Sequence, residues 1–306
     1  MLQTLVESFG SRLIMLGLDM TKILLVTKGH PFYKDKFFQI FDSLISDDGS
    51  CVSEYTHVEQ PAAQYFFDPE LAKNWDVFVM YDMPGIEFAD SSSRKHGGHP
   101  VNFTNPSEEF IHGSRSLLEQ GKGMIFLHHA IAGWPNWEEW AEIIGGRFHY
   151  QPGVLRGVEY PDSGYRHDVE QSIKVVDPTH PIVQGIPETF QLTDEAYLAP
   201  IFEDSVEPIL RSDFSFSTES FYSTDSAIRG KGYTNEGWDH PDGSNLVGWV
   251  KHAGNSPVAY LQFGDGPAQY ADPTYRSLIN NAISWAHDEQ SHEWARARRV
   301  ATGKFA

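Results

Sequence analysis

Two adjacent histidines, His128 and His129, follow the apolar run GMIFL at residues 123–127. Imidazoles at the end of a buried strand are groups that carry protons near neutral pH or ligate a metal. Two further groups stand at equivalent places: His30 follows KILLVT (22–27) across Lys28 and Gly29, and Asp82 follows VFVMY (77–81). In an open parallel sheet, ligands bind beyond the carboxyl ends of the strands, so these three loops are expected to converge. Imidazoles beside a carboxylate suit acid–base catalysis. The same set, His30, Asp82 and His128, would also hold a divalent metal such as zinc. Successive side chains at a strand end point to opposite sides, so one histidine of the pair should face the cleft; His128 is preferred, with His129 as the alternative. The competing reading is that both only donate to backbone carbonyls and hold the loop.

Later stretches offer partners for the same cleft. SGYRHDV (163–169) supplies His167 and Asp168, and LTDEAYL (192–198) supplies Asp194, Glu195 and Tyr197 immediately after a strand-like run. Carboxylates placed there serve as acid or base, or merely close a turn. Trp134 and Trp238 present the flat apolar faces that sugars stack on, and the Gly- and Pro-rich stretch 235–257 around Trp238 reads as a lid. Gly29, His30 and Trp134 complete the expected substrate contacts. His96 and His99 share an H-x-x-H spacing, but the glycines between them weaken it as a metal motif. There is no G-x-S-x-G, Walker A, G-x-G-x-x-G or H-E-x-x-H pattern, and Cys51, the sole cysteine, lies in the second strand region. Serine or cysteine acyl transfer and a nucleotide cofactor are therefore not expected.

The elements that must position these groups alternate in type. KILLVT, CVSEYTHV (51–58), VFVMY and GMIFL read as strands. Between them, Asp35 precedes a helical face of Phe37, Phe38, Phe41, Leu44 and Ile45, ended by Asp48-Gly49. DPELAKN (68–74) opens as a capped helix, and a longer helix runs from about Ser107 to Gln120 with Gly121 as its stop. Trp137, Trp140, Ala141 and Ile144 then keep i, i+3, i+4, i+7 spacing. Such β–α repeats imply an α/β fold with a doubly wound, mostly parallel, flavodoxin-like sheet. The second half is less regular, with strand-like pieces at IKVV, TFQL and VAYLQ and a final helix capped by Asp272-Pro273. The expected organisation is an extension over 1–19, one α/β domain over 20–288 with elaborated loops in its second half, and a solvated tail over 289–306.

Composition narrows the partners. With 42 acidic against 23 basic residues, the net charge is -19, which repels a nucleic-acid backbone. No apolar run reaches the ~20 residues of a membrane helix. The first 20 residues lack a basic start and a small-residue cleavage site, so a cytoplasmic location is expected, and one cysteine fits a reducing compartment. The aromatic faces would suit a small-molecule carbohydrate as well as a core, with self-association left open.

The ordered motifs ILLVTKGHPF, GKGMIFLHHAIAGWPNWEEWAEIIGGRF, VVDPTHPIVQGI, FQLTDEAYL and SPVAYLQFGDGP…YADPTYRSLINNAISWA resemble the ThuA-like (trehalose utilisation) family. That family's fold is similar to class I glutamine amidotransferases. The resemblance implies that a histidine, here His128, replaces the amidotransferase cysteine, so that glutaminase chemistry is lost while the pocket is kept. It also implies site or site-supporting roles for Thr193, Asp194, Glu195 and Tyr197. Two positions depart from the pattern: Gln151 stands where relatives have a histidine, and Gly264-Asp265-Gly266-Pro267 stands where they have Gly-His-Asp. The implied role is carbohydrate catabolism on a sugar or keto-sugar by hydrolysis, elimination or isomerisation. The alternative is a non-catalytic sugar-binding module.

Overall fold

The computed structural model describes residues 20–46, 50, 52–89 and 99–305. The 1–19 extension, Asp48-Gly49, Cys51 and His96 lie outside the described residues. Strands β1 (Thr21–Lys28), β2 (Val52–Glu59), β3 (Val77–Asp82) and β6 (Gly123–Leu127) pair in parallel, and a late strand, β14 (Ser256–Leu261), joins them beside β6. Their near-continuous apolar sequences are explained by burial on both faces. Ile23, Leu25, Val79 and Ile125 pack on one side with Phe37, Phe41 and Leu278. Leu24, Val26, Met80 and Phe126 pack on the other with Phe110, Leu117 and Trp140. The helices behind these faces are α1 (Lys34–Ser46) and α2 (Glu108–Gln120), with α3 (Glu138–Ile144) following β6. Ser107 caps α2 by accepting from Phe110 N, and Gly121 ends it in the left-handed conformation. Asp35 lies inside the first turn of α1 rather than before it. Asp68 accepts from Glu70 N and Leu71 N, but only a 3-10 turn at Leu71–Asn74 follows.

The second half is more ordered than its sequence suggested. Strands β9 (Gly164–Val175), β10 (Thr189–Leu198), β11 (Glu207–Ser212) and β13 (Leu246–Ala253) continue the sheet in antiparallel pairing, giving the order β10-β9-β11-β13-β14-β6-β3-β1-β2. Asp194 and Glu195 therefore sit within a strand, not after one. The stretch expected to be a lid contributes β13 to the sheet interior, where Trp249 and His252 are buried. Two short antiparallel pairs, β4 (Ile86–Phe88) with β5 (Val101–Phe103) and β7 (Gly153–Leu155) with β8 (Val158–Tyr160), stand apart from the main sheet. The strand β12 (Tyr222–Ser223) pairs with β9 and leads into the short helix α4 (Thr224–Ile228).

The chain closes with α5 (Pro267–Ala271), α6 (Pro273–His287) and α7 (Glu289–Thr302). Asp272 caps α6 as the sequence implied. The tail, expected to be solvated, is a packed helix. Asp288 caps it, Ser291 and Ala295 are buried, and Arg298 and Arg299 pair with Glu207 and Glu119. The buried Lys251 ammonium fastens the end of the chain by donating to the carbonyls of Glu142 and Phe305. No helix among the described residues is long and apolar enough to cross a membrane.

Candidate active site

The backbone turns sharply at the end of β6. His128 adopts φ +50°, a left-handed conformation that a side-chain-bearing residue holds only when its surroundings enforce it. The ring is fully buried. Its Nδ1 lies 2.8 Å from the Gln262 carbonyl, which can only accept, so Nδ1 carries the proton. Nε2 then faces Tyr197 Oη at 2.8 Å, a Glu195 oxygen at 3.4 Å and an Asp265 oxygen at 3.6 Å. A bare nitrogen lone pair aimed at two carboxylates is repulsive, so a proton or a cation belongs between them. Burial alone pulls the imidazole toward neutrality. Hydrogen bonds to Asp265 and Glu195, with the Glu195 and Asp194 charges, outweigh it and raise the pKa to about 10. The reciprocal effect of the His128 ring holds Asp265 below the usual carboxylate range.

Asp194 organises this arrangement without entering it. Its carboxylate accepts from the backbone N–H groups of Glu195, Gly264 and Asp265, tying β10 to the loop after β14. Burial raises its pKa to about 6 against those three donors and the His128 charge. Glu195 is placed by an irregularity opposite it. Asp194 pairs with Val169 and Ala196 with Arg166, so His167 and Asp168 together oppose the single residue Glu195. Such a bulge bends the strand and re-aims side chains. Asp168 takes φ +53°, and His167 Nδ1 comes within 3.2 Å of Glu195 Oε1.

These groups border a cavity of about 330 Å³ whose walls include His30, His129, His167, Glu195, Tyr150 and Tyr197. Phe148, Tyr165 and Phe88 add aromatic surface, and Thr224, Ala227 and Ile228 of α4 also line the cavity. His30 Nδ1 is 2.8 Å from the Pro31 carbonyl, which fixes Nε2 as the unprotonated acceptor. Burial, then the neighbouring His128 charge, lowers the His30 pKa. His129 borders the cavity while His128 lies directly behind Glu195 and Tyr197, reversing the preferred assignment of the pair. Among the described residues neither His129 nitrogen has a hydrogen-bond partner of normal geometry, and burial drives its pKa well down.

The sequence from 51 to 286 matches the family model described as ThuA, trehalose utilisation. The chain belongs to the ThuA family. Its family description gives it a carbohydrate-related role. No curated protein matches the chain. Among solved structures it is similar to a ThuA-like protein from Parabacteroides merdae, at 14% identity and TM-score 0.60, covering 88% of this chain and 90% of that one. A ThuA-like protein from Bacteroides uniformis gives 17% identity and TM-score 0.54, covering 89% and 94%. Those likenesses establish the shared α/β fold.

Several expected site residues of this ThuA chain stand elsewhere. Strand alternation turns Tyr81, not Asp82, toward the histidines: the Tyr81 ring lies 4.3 Å from that of His129. Asp82 is buried against Gln60, whose Nε2 donates to it at 2.8 Å, and desolvation raises its pKa to about 7 despite that bond. It is thus separate from the His128 group, and the metal set His30, Asp82 and His128 does not assemble. Among the described residues the set that does is His128, Glu195 and Asp265, with ligand atoms within 4.8 Å of one another. Trp134 packs on Phe110, Trp238 donates to the Asp162 carbonyl, and Asp168 faces solvent, so none of the three lines the cavity. Gly29 shapes the site from behind: at φ +106° its backbone passes so close to Met83 that a Cβ would meet the Met83 carbonyl oxygen at 2.4 Å. Gln151 donates to the Val101 carbonyl and steadies the β4–β5 pair.

Asp265 and Tyr150 were missed. Asp265 carried a usable signal, because VAYLQFGD ends a strand as surely as GMIFLH does and the same strand-end rule applies. Tyr150 carried none beyond its distance from the Gly-Gly-Arg-Phe turn.

Proposed function

We propose that this protein is a sugar-active enzyme that transfers protons on a keto-sugar or related polyhydroxylated ring, by isomerisation or elimination next to a carbonyl. The observation that carries the reading is Glu195. It is 6% exposed, borders the cavity, and lies between the imidazoles of His128 and His167. A carboxylate so held is a general base in reach of a bound C–H group. His128 holds the anionic set together from behind. His30 offers an unprotonated Nε2 from another wall, and Tyr150 offers a hydroxyl with no hydrogen-bond partner among the described residues. Aromatic walls and a volume near the lower end of small-ligand sites suit one sugar ring, in keeping with the family's carbohydrate role. A small neutral solute also agrees with the acidic, nucleotide-motif-free sequence and a cytoplasmic setting.

A second reading rests on the same three donors. His128 Nε2 with Glu195 and Asp265 is a mixed nitrogen–oxygen set of the kind zinc or manganese accepts, and Nδ1 anchored on a carbonyl is the usual outer support of a metal-bound histidine. A divalent ion there would polarise a substrate carbonyl or activate water for hydrolysis.

The test is NMR of ketohexoses and 3-keto-glucosides incubated with the protein in D₂O, reading deuterium incorporation and product formation. Glu195→Gln should lower turnover by about 10²- to 10⁴-fold with the thermal midpoint retained. An active Glu195→Gln enzyme refutes the assignment, and a ligand that binds without exchange or conversion supports a binding module instead.

A further inference from the structure

Glu195 is enclosed, and a base that takes a proton from substrate must pass it on. Its first neighbour, His128, offers no exit: the ring is fully buried and its far nitrogen is committed to the Gln262 carbonyl. The second neighbour is different. His167 Nδ1 stands 3.2 Å from Glu195 Oε1, while 41% of the His167 side chain meets solvent. We propose that His167 is a proton-relay residue, carrying protons between Glu195 and bulk water. The proposal rests on the acid–base reading above.

The strand irregularity gives the relay its geometry. In regular antiparallel pairing a single residue would face Glu195; here His167 and Asp168 share the place, and Asp168 absorbs the extra residue at φ +53°. The bulge thus brings a solvent-reaching imidazole onto a buried carboxylate. Tyr165 and Tyr233 flank the ring at 5.3 and 6.2 Å between centroids and limit its swing. Asp265 is the other charged group near enough to feel it.

The step balances without a co-reactant. The substrate C–H bond breaks, its electron pair moves into the adjoining carbonyl to form an enediolate, and the proton goes to Glu195 Oε1. His167 accepts that proton at Nδ1 while its Nε2 releases one to water or buffer. Return of a proton to the neighbouring carbon runs the same path in reverse, while the enediolate hydroxyl passes its proton to the former carbonyl oxygen so that the new carbonyl forms.

The experiment compares wild type, His167→Ala and His167→Gln on the keto-sugar panel in D₂O. His167→Ala should lower kcat by about tenfold or more with KM held within about twofold, and added imidazole should restore kcat in proportion to its free-base concentration. His167→Gln, which keeps a polar side chain beside Glu195 but cannot relay, should be as slow as His167→Ala. A raised KM at unchanged kcat, or a loss that imidazole does not rescue, overturns the relay. A dead Glu195→Gln beside an unaffected His167→Ala overturns the relay alone. Absence of exchange by wild type on the whole panel removes the enzyme reading, and the relay with it.

Discussion

Replacing Asp265 by Asn tests what stands between His128 and its carboxylates. The wild-type ring keeps its proton up to about pH 10 because Asp265 and Glu195 face Nε2 at 3.6 and 3.4 Å. At about 4 Å and an effective dielectric near 20, two unit charges attract by about 4 kcal/mol, or about three pH units. The Asp265 side chain is 35% exposed, and solvent screening trims its share to about two. The variant should therefore release the His128 proton near pH ~8, well inside the range of side-chain ¹⁵N NMR. The sign of the linked stability follows. A raised imidazole pKa stabilises the fold fully below the unfolded value of ~6.5, and that contribution is lost as pH climbs through about 10. Urea midpoints of wild type should fall over that window, and those of Asp265→Asn should start lower and stop falling near pH ~8. A wild-type His128 with a bare Nε2 at pH 7 would refute the argument. Accompanied by stoichiometric metal on elemental analysis, that result would install the metal reading.

Two further outcomes follow from backbone and burial. Gly29→Ala places a Cβ 2.4 Å from the Met83 carbonyl oxygen at a φ of +106°, a clash with main chain that no rotamer relieves. It should cost about 2–4 kcal/mol by urea denaturation, and a cost under about 0.5 kcal/mol would show that the β1 and β3 ends yield freely. His149 has its pKa pushed down to about 4 by burial, then by the Arg147 and His240 charges. Its neutral form is favoured above the unfolded value of ~6.5, and stability is lost as pH falls from there toward 4, by up to about 3 kcal/mol. His149→Asn should flatten the acid limb of stability against pH; an identical limb in both proteins would remove His149 as its cause.

How much of this could be read in advance depended on which physical rule governed each segment. Strands β1, β3 and β6 were legible because burial on both faces leaves an unbroken apolar run, and α2 was legible because Ser107 and Gly121 bracket it chemically. The strand-end rule found His30 and His128 from those runs alone. It misplaced Asp82, because a one-residue difference at the strand end decides which face a side chain takes, and Tyr81 took the inner one. The antiparallel half was obscure for a related reason. β9 carries Arg166, His167, Asp168 and Glu170, a polar composition that local propensity assigns to a loop, and only pairing with β10 and β11 makes it a strand. Glu195 was found as a residue and mistaken as a position: read as the end of a strand, it lies inside one. Its chemistry comes from the long-range register that sets two residues against it. The most sharply placed carboxylate in the cavity is thus fixed by strand pairing between residues far apart in the chain. A variant that deletes Asp168 to restore regular pairing should therefore alter the site more than any substitution at Asp168, since deletion removes the bend in β9 and re-aims its side chains while substitution leaves the bulge in place.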